Sequence, residues 1–239
     1  MIVTGGARGI GLVCVRSLLG RGCRVTTCAT SEESIAAAEQ EFSGNPNVAI
    51  LVADVSTAVG AQAVVHRARA AFDGVDALFA NAGLYAVAAV DEMTEALWDQ
   101  VVGANLRSAF FSVQAAVPDL RRARGAVVLM SSYNGLVGVR GGASAYGAAK
   151  AGVVNLTRQL ALDLAPEVRV NCLAPGFIET EKLRAVEGAQ ALIAELGAMT
   201  PVQRIGRPEE VAHALAFALE NEFLNGAVIT LDGGISVGD

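Results

Sequence analysis

Short apolar runs alternate along the whole chain with longer Ala/Leu-rich stretches of helical period, and that alternation leaves few folds open. The apolar runs are Ile2–Thr4, Arg24–Cys28, Val48–Ala53, Ala77–Ala80, Ala126–Met130, Val168–Leu173 and Val228–Leu231. Several have no polar alternation, as strands covered on both faces require. Between them, helices are predicted over Gly9–Gly20, Ser31–Phe42, Ala58–Phe72, Glu95–Arg122, Ala145–Leu164 and Pro208–Leu219. Strand–helix–strand order with no antiparallel signal predicts a parallel sheet with right-handed crossovers. With no repeat, linker or break in composition, residues 1–239 are expected to form one doubly wound α/β domain, a seven-stranded parallel sheet with helices on both faces. The segment 179–206 carries helical pieces but no strand, and reads as an insertion near the strand carboxyl ends.

Bulk properties exclude several classes of function. Apolar residues make up 53% of the 239 and charged residues 18%, enough for a large core. A net charge of -6 argues against a nucleic-acid partner. The one basic run, Arg121-Arg122-Ala123-Arg124, suits the negative end of a helix dipole. The longest apolar stretch, around Ala77 to Val90, is interrupted by Asn81 and Gly83 and is too short to cross a bilayer, so no membrane association is expected. Four cysteines (Cys14, Cys23, Cys28, Cys172) show no CxxC spacing and read as reduced thiols of a cytoplasmic protein. The chain enters its first strand at once, leaving no signal peptide to read. His66 and His213 lie far from any carboxylate or thiol cluster, and no metal site is expected.

The first strand runs directly into Thr4-Gly5-Gly6-Ala7-Arg8-Gly9-Ile10-Gly11 and then a helix. Glycines in that context permit a tight turn, close approach of backbone to a pyrophosphate, and tight helix–sheet packing. Charge separates the two nicotinamide dinucleotides. An acid at the end of the second strand would bond a ribose 2′-hydroxyl and repel a 2′-phosphate. The stretch Thr26-Thr27-Cys28-Ala29-Thr30-Ser31 holds no acid before Glu32. Arg8 can pair with a 2′-phosphate, and Thr30 and Ser31 can donate to it. NADP(H) is therefore expected in preference to NAD(H), with NAD(H) possible.

Tyr146-Gly-Ala-Ala-Lys150 places a phenol and an ammonium one helical turn apart on one face. A neighbouring cation favours the phenolate, so the spacing predicts a tyrosine tuned for proton transfer. Ser132 lies upstream in the same region. Tyr133 is left between two places, the wall of a substrate pocket or the surface.

Together these residues resemble the short-chain dehydrogenases/reductases over essentially the whole chain. Thr4-Gly5-x-x-x-Gly9-x-Gly11 is similar to that family's cofactor turn, Asp54-Val55 to its adenine contact, and Ala80-Asn81-Ala82-Gly83 to its Asn-Asn-Ala-Gly signature. Asn105, Ser132, Tyr146 and Lys150 fall where the family keeps its tetrad, and Pro175-Gly176-Phe177-Ile178-Glu179-Thr180 where it closes over the nicotinamide. The resemblance implies a Rossmann-type fold and hydride transfer between a nicotinamide and a small carbonyl or alcohol. It implies that Tyr146 exchanges the proton, that Lys150 lowers its pKa and bonds the ribose, that Ser132 orients the carbonyl, and that Asn105 holds a water. Ile10, Gly176, Ile178 and Thr180 would contact the cofactor beside the residues already named. A homotetramer built on the helices around Asn105–Arg122 and Ala145–Leu164 is also implied. The ketoreductases that act on 3-oxoacyl carrier proteins look nearest. Rival readings are an oxidative dehydrogenase of sugars, steroids or dihydrodiols, and a dinucleotide sensor without chemistry. Two departures stand out. The first strand is very short, and Ala161-Leu162-Asp163 lacks an arginine common in carrier-protein-dependent members.

Overall fold

The computed structural model describes residues 1–237. Seven parallel strands stand in the order β3-β2-β1-β4-β5-β6-β7. They are β1 Ile2–Thr4, β2 Val25–Ala29, β3 Val48–Val52, β4 Ala77–Ala80, β5 Ala126–Met130, β6 Arg169–Pro175 and β7 Val228–Leu231. Short as it is, β1 occupies the middle, pairing Ile2 with Thr26 on one side and with Leu78 on the other. The order reverses between β1 and β4, and a crevice at the carboxyl ends of the strands follows from that reversal.

Side chains alternate across the strands and separate two cores. Ile2, Val127 and Leu129 face one layer with Val64, Val113, Leu120 and Val153. Val3, Val128 and Met130 face the other with Val15, Leu18, Val211 and Leu215. The first layer is covered by α3 (Ala58–Phe72), α5 (Ser108–Ala123) and α6 (Ser144–Asp163), the second by α1 (Gly9–Gly20) and α9 (Pro208–Glu220). The helix α2 (Glu32–Glu41) flanks the outer strands. Among the described residues no helix is long and apolar enough to cross a membrane.

Two expected elements differ by more than one residue at an end. The strand predicted to stop at Leu173 continues to Pro175, because Ala174 and Pro175 pair with Thr230 and Leu231 of β7. The basic run does end a helix, with Arg124 in the left-handed conformation after Ala123. The single helix expected over Glu95–Arg122 is instead α4 (Glu95–Val102), a π turn at Gly103–Arg107, and α5. The cause lies in Asn105. Its Nδ2 donates to the Val101 carbonyl at 2.8 Å, the acceptor that its own backbone N–H would take in an α-helix. The same Nδ2 donates to the Leu84 carbonyl at 2.8 Å, tying this turn to the loop after β4.

The segment between residues 179 and 206 holds two helices, α7 (Glu181–Arg184) and α8 (Ala189–Ala198). Its ends are pinned: the Glu179 N–H donates to the Gly206 carbonyl and the Gly206 N–H to the Phe177 carbonyl, each at 2.8 Å.

Candidate active site

Gly5 and Gly9 hold φ of +65° and +56°, the left-handed region in which glycine is favoured. Packing at Gly11 is tighter still. A Cβ there would strike the Gly5 carbonyl and come within 2.6 Å of Asn81 Nδ2. Among the described residues a Cβ at Gly9 would meet only Thr180 Cγ2, at 3.8 Å, so this glycine faces open space at the start of α1. Arg8, the residue before that helix, places no side chain on its terminal N–H groups. A left-handed glycine turn, open in front and feeding a helix N-terminus, fits a pyrophosphate. Two substitutions separate these roles. Gly11→Ala is expected to destabilise the fold by several kcal/mol, since backbone must move. Gly9→Ala is expected to cost about 1–2 kcal/mol in left-handed strain while weakening dinucleotide binding at least as much as Gly11→Ala. Thermal unfolding and fluorescence titration with NADPH check both; a Gly9→Ala protein binding like the parent would refute the assignment of that open space.

Thr4, which opens the glycine motif and to which the sequence assigns no role of its own, ties the turn to β4. Its buried hydroxyl accepts from the backbone N–H groups of Asn81 at 3.1 Å and Ala82 at 3.0 Å. Asn81 Nδ2 returns two bonds, to the carbonyls of Thr4 and Gly5. This lattice closes the split between β1 and β4, where parallel strands diverge and leave donors unpaired. The signal in sequence was a polar residue ending an apolar strand at the switch point.

Toward the other end of the crevice, Asp54 is exposed and caps its own turn by accepting from the Ser56 N–H at 2.9 Å, while Val55 beside it is buried. Thr30 and Ser31, just past the end of β2, and Arg8, in the glycine turn, are exposed. The Ser31 hydroxyl is already engaged, capping α2 by accepting from the Ser34 N–H. On the opposite side, Gly176 packs against Asp232, where a Cβ would meet its Cα at 2.8 Å. That packing turns the chain after Pro175 so that Ile178 bridges to Gly206 and Thr180 comes over Gly9.

Asn105, Ser132, Tyr146 and Lys150 converge. A Cβ on Gly83 would lie 2.6 Å from Asn105 Oδ1 and 3.5 Å from Lys150 Nζ, so glycine is what lets these groups share one space. Asn105 Oδ1 is buried with no hydrogen-bond partner among the described residues. Lys150 is buried, and its Nζ donates to the Met130 carbonyl at 2.8 Å. Burial brings its pKa down to about 8. The Ser132 hydroxyl faces the phenol of Tyr146 and favours its ionised form.

The expected lowering of the phenol by the ammonium is not what this arrangement produces. Burial dominates and pushes Tyr146 up to about 12, with Ser132 opposing. Lysine one turn on reaches the face of the ring, its Nζ 5.5 Å from the centroid, and is held there by Met130. Helical spacing brings the two residues together but does not set which part of the ring the ammonium meets.

Tyr133 is buried, and its ring packs on Phe177 with centroids 5.4 Å apart. Of its two open placements, the exposed one is thus excluded.

A glycine turn at a helix N-terminus, opposite a tyrosine, lysine and serine in one crevice of a doubly wound sheet, defines a nicotinamide-dependent oxidoreductase class. The chain belongs to the short-chain dehydrogenase/reductase family. The family model described as enoyl-(acyl carrier protein) reductase matches residues 5–236. The chain is 33% identical to the 3-oxoacyl-[acyl-carrier-protein] reductase FabG of Escherichia coli, covering 98% of this chain and 96% of that protein. It is 36% identical to an L-fucose dehydrogenase of Mus musculus, covering 100% and 88%. Among solved structures it resembles the aldohexose dehydrogenase of Thermoplasma acidophilum, with a TM-score of 0.89 at 28% identity over 100% and 94% of the two chains. It is accordingly an enzyme of this oxidoreductase family.

Proposed function

We propose that the chain is an NADP(H)-preferring ketoreductase, reducing a small carbonyl compound to the corresponding alcohol. The observation that carries this reading is the meeting of Tyr146, Ser132, Lys150 and Asn105 in one crevice with the open glycine turn. Bound NADPH supplies the hydride that joins the carbonyl carbon. Tyr146 gives its phenolic proton to the oxygen as charge develops there. Ser132 donates to the same oxygen and fixes its orientation. Lys150 holds the nicotinamide ribose and, with Asn105 Oδ1, a water that restores the proton to Tyr146. Gly5, Gly9, Ile10 and Gly11 hold the pyrophosphate, and Asp54 and Val55 the adenine. Asn81, Ala82, Gly83, Pro175, Gly176, Ile178 and Thr180 surround the nicotinamide half.

Preference for the 2′-phosphate is supported by exposed Arg8 in the glycine turn and exposed Thr30 just past β2, with no acid before Glu32. Ser31 contributes less than the sequence suggests, since its oxygen caps α2. Residues 179–206 act as a substrate lid: Leu183, Val186, Leu192, Ile193, Leu196 and Met199 are all left out of the core and offer an apolar underside. Association as a homotetramer is supported by Phe110 and Phe111, which stack edge-on at 5.6 Å on α5, with Phe110 exposed. A cytoplasmic setting agrees with the cysteines, three of which are buried thiols.

Initial rates with a panel of ketones and both reduced dinucleotides test this reading. The expected result is ketone-dependent oxidation of NADPH, with KM for NADPH roughly tenfold or more below that for NADH, as one charge-assisted pairing allows. A lower KM for NADH would overturn the cofactor preference. Tight NADPH binding with no turnover of any carbonyl or alcohol would favour a dinucleotide sensor instead.

A further inference from the structure

Sheet order sets the carboxyl ends of β4, β5 and β6 side by side, and the loop leaving each carries one aromatic ring. These are Tyr85 after β4, Tyr133 after β5 and Phe177 after β6. The chain has three tyrosines, so all of them, Tyr146 included, stand at this one opening. The Tyr85 ring meets that of Tyr146 edge-on with centroids 5.0 Å apart, and Tyr133 meets Phe177 likewise at 5.4 Å. Tyr85 also lies near enough to Tyr133 to help raise its phenol.

Tyr85 is nonetheless 62% exposed, next to the group that would exchange the proton. Its loop is held in place: the Ala88 N–H donates to the Gly142 carbonyl at 3.0 Å, and a Cβ on Gly142 would fall 2.6 Å from the Ala88 carbonyl. An aromatic face kept open on a pinned loop, beside two further rings, suits another flat ring, because offset-stacked and edge-on ring pairs gain attraction beyond the area they bury, which an aliphatic chain does not supply.

We infer that the substrate carbonyl is attached to an uncharged planar ring, which Tyr85, Tyr133 and Phe177 hold while the oxygen meets Tyr146. The inference rests on the ketoreductase reading and narrows it from any small carbonyl to aryl ketones. Tyr85 is its specificity-determining residue, and its exposure makes it replaceable without loss of the fold.

Acetophenone and 2-octanone, two ketones of equal carbon number, provide the test, with saturating NADPH. The expected kcat/KM for acetophenone exceeds that for 2-octanone by roughly tenfold or more, within the range that one hydrophobic pocket can discriminate. Tyr85→Ala is expected to raise KM for acetophenone about tenfold, to leave kcat within about threefold, and to move 2-octanone by less than about threefold. Tyr85→Phe keeps the preference. Titration by saturation-transfer NMR should show acetophenone binding to the NADP+ complex of the parent and of Tyr146→Phe, and about tenfold weaker binding in Tyr85→Ala. Equal turnover of the two ketones, or equal damage to both by Tyr85→Ala, overturns the ring preference alone. Absence of turnover for every ketone overturns the ketoreductase reading, and this inference with it.

Discussion

Tyr146→Phe is expected to lower turnover on the order of a thousand-fold, within the range ascribed to a positioned acid or base, while NADPH binds as before. Only the hydroxyl is removed. The ring keeps its edge contact with Tyr85 and its place beneath the Lys150 ammonium, so neither packing nor the glycine turn has cause to move. The pH dependence provides a second test of the same assignment. With the phenol pushed up to about 12, the protonated form prevails throughout the neutral range, and that is the form a reduction needs. Reduction should therefore show no tyrosine-dependent fall between about pH 6 and 8. Oxidation of the alcohol needs the phenolate, whose fraction grows about tenfold per pH unit below the pKa, so that direction should accelerate steadily as pH rises. Stopped assays of both directions, with fluorescence titration of NADPH, decide the matter. Activity in Tyr146→Phe above about a tenth of the parent would show that another group handles the proton.

Nearly all of the sheet was legible in the sequence, because fully buried parallel strands are continuous apolar runs and nothing else in this chain looks like them. Val127-Val128-Leu129 has only one place to go. What local pattern does not carry is the effect of one side chain on another element. The π turn arises because Asn105 captures the Val101 and Leu84 carbonyls, and Leu84 is distant in sequence. β6 extends past Leu173 because β7 is there to receive Pro175. At the site, the residue types and their convergence could be read, since glycine turns and an i, i+4 pair are local. Their electrostatics could not. The level of the Tyr146 phenol depends on how deeply the hydroxyl is buried and on the Ser132 hydroxyl that opposes that burial. Tyr85 escaped because an exposed tyrosine in a loop has no periodicity to mark it, and its significance appears only when three strand ends are set side by side.

Lys150→Met should abolish turnover and, in the dinucleotide-free protein, raise stability near pH 7. The lysine is buried and its pKa falls from 10.5 to about 8, so the fold disfavours the charged form that prevails at neutral pH. A shift of that size corresponds to about 3 kcal/mol. Removing the ammonium relieves this, while leaving the Met130 carbonyl without its lysine donor costs about 1 kcal/mol. A net gain of about 2 kcal/mol would raise Tm by roughly 4–8 °C for a chain of this size. The sign can be checked through pH. Between about 8 and 10.5 the folded protein has released the lysine proton and the unfolded chain still holds it. Unfolding then takes up a proton, so the parent gains stability with rising pH relative to the variant. The buried thiols Cys14 and Cys28, raised by burial to about 12 and about 11, act in the opposite sense but equally in both proteins, since Lys150 acts on neither. The Tm difference between variant and parent should therefore be largest near pH 7 and narrow toward pH 10. A variant less stable than the parent at pH 7, or a difference that does not change across that window, would mean that the ammonium is not held at an energetic cost. Its retention would then need no functional explanation, whereas a measured cost would place Lys150 among the buried charges that a fold keeps for what they do to a ligand.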